Sequence, residues 1–174
     1  ISMKGFPKDI ISKFDSYKYT DERGFNAINF EDFKNNISYK QSFSKKNVFR
    51  GMHVQLPPFA QSKYIQVSNG SIIDFIIPLD SSRNDFGNLY HFEISSAESI
   101  YFIPPYCAHG FYAIEDTTFK YICLGDYNEK NEISIKPPKF VTENFAEIIL
   151  SKKDENGMNI EKALEKCKKI NWTE

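Results

Sequence analysis

Neither sign of charge is in excess in this sequence: 22 lysines and arginines stand against 23 aspartates and glutamates, a formal charge of −1. The broad electrostatic pull toward a phosphate backbone or an anionic lipid surface is missing, so neither a nucleic acid nor a membrane is an expected partner. Cysteine is scarce as well. Cys107, Cys123 and Cys167 make an odd count with no CxxC and no metal-ligand spacing, which argues against a disulfide framework and fits a reducing cytoplasm. Long apolar runs are also absent. The longest, Ile72-Ile73-Asp74-Phe75-Ile76-Ile77, is broken by a carboxylate and falls far short of the ~20 residues a bilayer crossing takes. The opening Ile1-Ser2-Met3-Lys4 has no apolar signal region and no cleavage site; Met3 reads as the natural start, and Ile1 and Ser2 are set aside from the fold reading.

What the chain does have is enough apolar mass to fold. In 174 residues, 41% are hydrophobic and 16% aromatic, with 16 Phe and 10 Tyr, which suits one domain with a real core and excludes disorder. From about residue 10 to residue 127, short stretches rich in Ile, Val, Phe and Tyr alternate with turn clusters, an all-β pattern. Strands are expected over 9–14, 25–30, 37–43, 48–55, 62–69, 71–79, 89–94, 99–103, 109–115 and 118–125, with Asn69-Gly70 as the clearest hairpin turn. Strands this short and numerous must close on themselves or stack to hide their edges, and a jelly-roll barrel does both. A barrel core over about 20–135 would then give way, at Lys136-Pro137-Pro138-Lys139, to an extension over 136–174. In that extension Ile160, Ala163, Leu164, Cys167 and Ile170 recur at helical steps, predicting a helix from Asn159 to Ile170. A shorter helix is expected over 30–35, opened by Glu31 and Asp32.

Three clusters could carry chemistry. In Val48-Phe49-Arg50-Gly51-Met52-His53-Val54-Gln55, strand alternation puts Arg50 and Met52 on one face and Gly51, His53 and Gln55 on the other. His53 alone would read most simply as a core histidine satisfied by a hydrogen bond. Lys63 in the following strand changes that weighing, because an inward ammonium in a barrel is costly unless it meets an anion or a developing negative charge. The second cluster, Ile103-Pro104-Pro105-Tyr106-Cys107-Ala108-His109-Gly110-Phe111, is a proline turn feeding a strand with His109 at its start. In the third, Tyr121-Ile122-Cys123-Leu124-Gly125-Asp126-Tyr127, Tyr121, Cys123 and Gly125 share a face and Tyr127 follows. A metal site in a barrel of this kind would want a histidine at 55 and a carboxylate near 63. The chain offers Gln55 and Lys63, and an ammonium beside a dication is repulsive, so no catalytic metal is expected.

Arg50-Gly51-Met52-His53-Val54-Gln55, Pro57-Pro58-Phe59-Ala60-Gln61-Ser62-Lys63, Asp85-Phe86-Gly87, the Ile103–Phe111 cluster and Leu150-Ser151-Lys152-Lys153-Asp154 follow one another in an order and spacing that resembles the dTDP-4-dehydrorhamnose 3,5-epimerase family, from about residue 20 to residue 160. The resemblance implies a cupin-type jelly-roll homodimer that works without a cofactor on a nucleotide-linked 4-keto-6-deoxy sugar, for a surface glycan. It also implies roles: His53 as general base with Asp154 as its dyad partner, Tyr121 as the acid on the opposite face of the sugar, Lys63 as enolate stabiliser, and His109 as a further substrate contact. Arg23 and Arg50 match arginines used around the pyrophosphate and sugar. Gln55 and Tyr127 lie on the matched strands and join the substrate-binding set.

The chain also departs from the family pattern. Ile28 stands where the family usually has an acid, and Ser38-Tyr39-Lys40 where it usually has Gln-x-Asn. The resemblance puts both positions on the nucleotide-base side, where buried base edges need matched donors and acceptors. Ile28 and Ser38 therefore point to a nucleotide other than dTDP, such as GDP, or to an unusual sugar such as a 6-deoxy-heptose. Asp126 replaces a tyrosine that often precedes the matched Tyr127, near the presumed sugar pocket. Rival readings are a 3,4-ketoisomerase, whose relatives usually present a His-x-His strand, and a non-catalytic sugar-binding cupin.

Overall fold

The structure, a computed structural model, describes residues 1–5, 7–10, 12–95 and 99–173. Its strands are β1 (Tyr17–Asp21), β2 (Gly24–Asp32), β3 (Ile37–Ser44), β4 (Phe49–Gln55), β5 (Ser62–Asn69), β6 (Ser71–Pro78), β7 (Tyr90–Ser95), β8 (Tyr101–Ile103), β9 (Cys107–Ala113), β10 (Thr117–Leu124) and β11 (Glu132–Ser134). They form two antiparallel sheets, ordered β1-β2-β3-β10-β5-β8 and β11-β4-β9-β6-β7. Neighbours in the sheets are often distant in sequence, as a jelly roll requires, and the expected all-β class with a C-terminal helical extension is what the chain adopts.

Two apolar clusters hold the sheets. Ile65, Val67, Ile72, Ile94, Ile103, Phe111 and Phe119 fill one end of the space between them. The second cluster lies on the far side of the five-stranded sheet, where Phe49, Met52, Phe75, Ile77 and Tyr112 meet Val141, Ala163 and Cys167 of the extension. This covering explains why β6 and β9 read as nearly unbroken apolar runs: both of their faces are covered. The extension carries helices α1 (Lys139–Asn144), α2 (Lys152–Glu155) and α3 (Ile160–Cys167), the last capped by the Asn159 side chain, which accepts from the Lys162 N–H. It is stitched to β4 by Phe49 N–H to Ile149 O and by Met52 and Ile135, which exchange both of their backbone bonds.

Several expectations move. The helix over 30–35 does not form: Glu31 and Asp32 end β2, and residues 33–36 are a turn in which Asp32 accepts from the Asn35 amide groups. Of the strand expected over 9–14, Ile11 lies outside the described residues, Asp9 and Ile10 are in a turn, and 12–14 have no regular structure. Sequence periodicity missed β1, β11, α1 and α2. All four are short, and β1 is exposed along its whole length, so no apolar alternation marks it. Among the described residues no helix is long and apolar enough to cross a membrane.

Candidate active site

At the end of the inter-sheet space not filled by the apolar cluster lies a cavity of about 410 Å³. His53 enters it from β4 in one sheet, Tyr121 from β10 and Lys63 from β5 in the other. Arg23, Arg50, Gln55, His109, Tyr127 and Asp154 complete the expected residues found there. Ile28 and Ser38 are not among the lining residues. They flank Lys40, which is: Ile28 pairs with Lys40 across β2 and β3, and Ser38 lies two residues away on the same strand face.

A β-bulge brings Arg50 into this group. Strand alternation puts Arg50 with Met52, but the β4–β9 register shifts between Arg50 and His53. Met52 is instead buried in the outer cluster while Arg50, His53 and Gln55 all line the cavity. Gly51 makes the bulge possible. Its φ is +110°, and a Cβ there would come within 2.7 Å of the His109 carbonyl oxygen and 2.8 Å of the Gly110 Cα.

Asp154 reaches the site from the extension. The Ser151 side chain accepts from the Asp154 N–H and caps α2, which turns the carboxylate back toward β4. There Oδ1 lies 2.6 Å from His53 Nε2 and Oδ2 accepts from the Gly51 N–H at 3.1 Å. Asp154 is 1% exposed. Burial would push its carboxyl up, yet the His53 hydrogen bond and charge, the Gly51 N–H and Arg23 together hold it below the ordinary carboxylate value. Tyr121 is pushed upward, chiefly by burial against the weaker pull of Arg50, so its phenol stays protonated at neutral pH. Its hydroxyl lies 3.5 Å from Asn26 Oδ1.

Cations crowd the cavity. Arg23 is paired with Asp21 at 2.6 Å and Lys153 with Glu132. Arg50 has no carboxylate partner among the described residues: it donates to Ser44 Oγ at 2.7 Å and to the carbonyls of Phe43 and Phe25, and burial draws its guanidinium down to about 10. Lys40 and Lys63 likewise make no ion pair within 4 Å among the described residues. Such a concentration of unneutralised positive charge, partly desolvated, is built for an anion.

A protein-family model for dTDP-4-dehydrorhamnose 3,5-epimerase matches residues 11–162. The chain belongs to that family. It is accordingly an isomerase, of the epimerase kind. A relative in Shigella flexneri named dTDP-4-dehydrorhamnose 3,5-epimerase is 30% identical over 133 residues, covering 70% of this chain and 74% of that one. The crystal structure of the Sulfolobus tokodaii enzyme of that name superposes with a TM-score of 0.66 at 32% identity, covering 83% and 87%. A Legionella pneumophila epimerase, crystallised in complex with dTDP-4-keto-L-rhamnose, superposes at 0.64 with 26% identity, covering 84% and 86%.

Sequence reading missed several residues of this epimerase's cavity. Asp74 is the most consequential, although it sits behind the wall. It is fully buried on β6, with Oδ1 2.7 Å from His109 Nε2. Burial raises its carboxyl, opposed by His109 and by the charge of Lys63, the reverse of Asp154, whose carboxyl is held low. The signal was present: a carboxylate in mid-strand between Ile73 and Phe75 is buried only if paired. Asn26, Lys40, Ser42, Gln61, Glu132 and Lys153 also line the cavity. Gln55, at the position where a metal-binding relative would want histidine, donates to Glu132 at 3.3 Å and accepts from the Asn128 N–H at 3.1 Å.

Proposed function

We propose that this epimerase inverts C3, C5 or both of a nucleotide-linked 4-keto-6-deoxy sugar, without a cofactor. The observation that carries the reading is an imidazole backed by a buried carboxylate on one sheet, facing a protonated phenol on the other across a cation-lined cavity. His53 takes the proton from the carbon beside the ketone, the electron pair moves onto the ketone oxygen, and Lys63 holds the resulting enolate. Tyr121 then delivers a proton to the opposite face of the same carbon. Turnover leaves an imidazolium and a phenolate, and proton exchange with solvent resets both. Asp154 supports this cycle by fixing the imidazole tautomer and favouring the imidazolium. Arg50, Arg23 and His109 would hold the sugar and its phosphates, with Gln55 and Tyr127 as further contacts.

For the nucleotide, we favour one other than dTDP, with GDP the first candidate and a 6-deoxy-heptose a candidate sugar. Support comes from Ile28, Ser38 and Lys40, which replace an acid and two amides and are grouped at the cavity edge. The relatives' names and the Legionella complex concern dTDP sugars, so the two alternatives make opposite demands on one experiment. Incubation in D₂O with the dTDP- and GDP-linked 4-keto sugars should place deuterium at C3, C5 or both, faster with the GDP substrate. Equal or faster exchange with the dTDP substrate removes the nucleotide proposal. Binding without any exchange would make the chain a sugar-binding cupin, and migration of the keto group would make it a ketoisomerase.

A homodimer and a cytoplasmic, glycan-building role complete the proposal. Three buried, unpaired thiols suit a reducing compartment. The outer face of the six-stranded sheet carries Phe102, Tyr64, Ile122, Tyr39 and Phe30 directly opposite one another on adjacent strands, an apolar ladder across the sheet. Phe102 and Tyr64, with ring centroids 5.1 Å apart, are 50% and 42% exposed, and a patch of that continuity seeks a partner. Sedimentation should give twice the 20.2 kDa chain mass, falling to the monomer when Tyr64→Glu and Phe102→Glu are combined. A monomeric wild type would refute the dimer.

A further inference from the structure

Each inversion leaves Tyr121 as a phenolate, and burial makes that anion costly. Arg50 eases the cost through its charge, but the hydrogen bonds of its guanidinium go to Ser44 and to the Phe25 and Phe43 carbonyls. The Tyr121 hydroxyl is met instead by Asn26, whose Oδ1 accepts from it at 3.5 Å. That is long for a bond between oxygens, so the amide lies beside the phenol without being locked to it. An acceptor suits only the protonated phenol. Against a phenolate, a carbonyl oxygen is repulsive, because neither atom brings a hydrogen. An amide escapes this conflict, since one side chain carries both an acceptor and two donors. Turned over, Asn26 presents an Nδ2 N–H to the same oxygen, and its hydrogen bond is one of the influences that draw Tyr121 back down against burial.

Ser42 supplies the second half of such a turn. Its hydroxyl is buried, at 2% exposure, and has no hydrogen-bonding partner among the described residues. Buried hydroxyls are seldom left so, because the loss of water is not repaid. Ser42 stands directly opposite Asn26 across β2 and β3, where facing Cβ atoms lie about 4.5–5.5 Å apart. Both residues line the cavity. Once the amide has turned, its freed Oδ1 is within reach of the Ser42 hydroxyl, which then has an acceptor.

We infer that Asn26 is a positioning residue for the catalytic acid: it accepts from the Tyr121 hydroxyl before proton delivery, then turns its amide to donate to the phenolate while Ser42 donates to the freed carbonyl oxygen. The inference rests on the epimerase reading above, with Tyr121 as the acid. No covalent bond of Asn26 or Ser42 changes. The hydroxyl swings from Asn26 to the sugar carbon, the proton leaves with the carbon, and a neutral hydrogen bond is replaced by a charge-assisted one, the stronger kind. The gain falls on the inversion step alone, because abstraction by His53 on the other sheet does not alter the charge of Tyr121.

Incubation of wild type, Asn26→Leu, Asn26→Asp and Ser42→Ala with a 4-keto sugar nucleotide in D₂O tests this through one ratio: deuterated substrate of unchanged configuration against inverted product. The ratio is internal to each preparation, so a loss of folded protein does not move it. Asn26→Leu should raise it about tenfold, the low end for a hydrogen bond to a charged group, because His53 still removes and returns the proton while inversion slows. Ser42→Ala should raise it about threefold, the size of a neutral hydrogen bond. Asn26→Asp is the deciding variant. It keeps the shape and the acceptor of asparagine but sets a carboxylate against the phenolate, so it should raise the ratio further than Asn26→Leu does. A residue that merely packed against the ring would give the opposite order. A wild-type ratio in Asn26→Leu or Ser42→Ala, or a smaller rise in Asn26→Asp than in Asn26→Leu, would overturn the inference and leave the epimerase reading intact. A wild type that neither exchanges nor inverts would defeat both.

Discussion

Replacing His53 by asparagine is expected to lower kcat by about 10²–10⁴-fold, the usual contribution of a positioned base, and to abolish deuterium incorporation at every sugar carbon. Asparagine is the informative choice because it stays polar while removing the basic nitrogen, and its shorter amide does not reach Asp154 as Nε2 does, so the base and its hydrogen bond to Asp154 are lost together. The effect should fall on kcat rather than on substrate affinity, since His53 acts on the reacting proton and the anion is held by other residues. Stability gives a second readout. Burial is the strongest influence on Asp154, and the His53 hydrogen bond and charge are the largest opposing ones. Without the imidazole the folded-state value of Asp154 rises toward or above its unfolded value. In the wild type this carboxylate contributes stability at pH above its unfolded value, and that contribution is lost as pH falls through the depressed folded value. The variant should lack this contribution, so its melting temperature should fall less as pH is taken from neutral to well below the ordinary carboxylate value of 3.8. Retention of wild-type exchange by His53→Asn would remove His53 as the base and with it the proposed mechanism.

How much of this site was readable in the chain depends on which residues are neighbours in sequence and which only in space. The strands that carry His53, Lys63, His109 and Tyr121 show alternation, β-branched residues and punctuating turns, so four of the strands that build the cavity could be drawn from periodicity. The pairing of His53 with Asp154 could not. They are 101 residues apart, and Asp154 sits in a charged run that looks like a solvated surface; only the Leu-Ser-Lys-Lys-Asp motif distinguished it. Arg50 was misassigned to a face because a bulge adds a residue that period-two counting cannot see. The acids at 31 and 32 resemble a helix opening, yet pairing with β3 keeps them extended, an instance of tertiary context overriding a local signal. The Asp74–His109 pair was legible in principle, since a carboxylate amid isoleucines demands a partner. The identity of that partner follows only from the β6–β9 register.

Tyr121 should separate exchange from inversion. In Tyr121→Phe the base, its aspartate and the enolate-stabilising ammonium are untouched, so His53 still removes the proton and still returns one to the same face. In D₂O that imidazolium exchanges with solvent, and the recovered substrate should acquire deuterium with its configuration unchanged. The inverted product should form about 10²–10⁴-fold more slowly, because no acid remains on the opposite face. The ring itself is retained, and with it the contacts to Phe119 at 5.5 Å and to Lys40, so binding should move little. The wild-type pH profile carries the same signature. Burial raises the Tyr121 pKa well above its ordinary value, which keeps the proton available through neutral and mildly alkaline pH; the donor fails only as pH climbs to that raised value. Two outcomes would defeat the assignment. Inversion at the wild-type rate would mean that another group or a water supplies the second proton. Loss of exchange and inversion together would mean that Tyr121 serves the abstraction step, and the two sheets would then no longer divide acid from base.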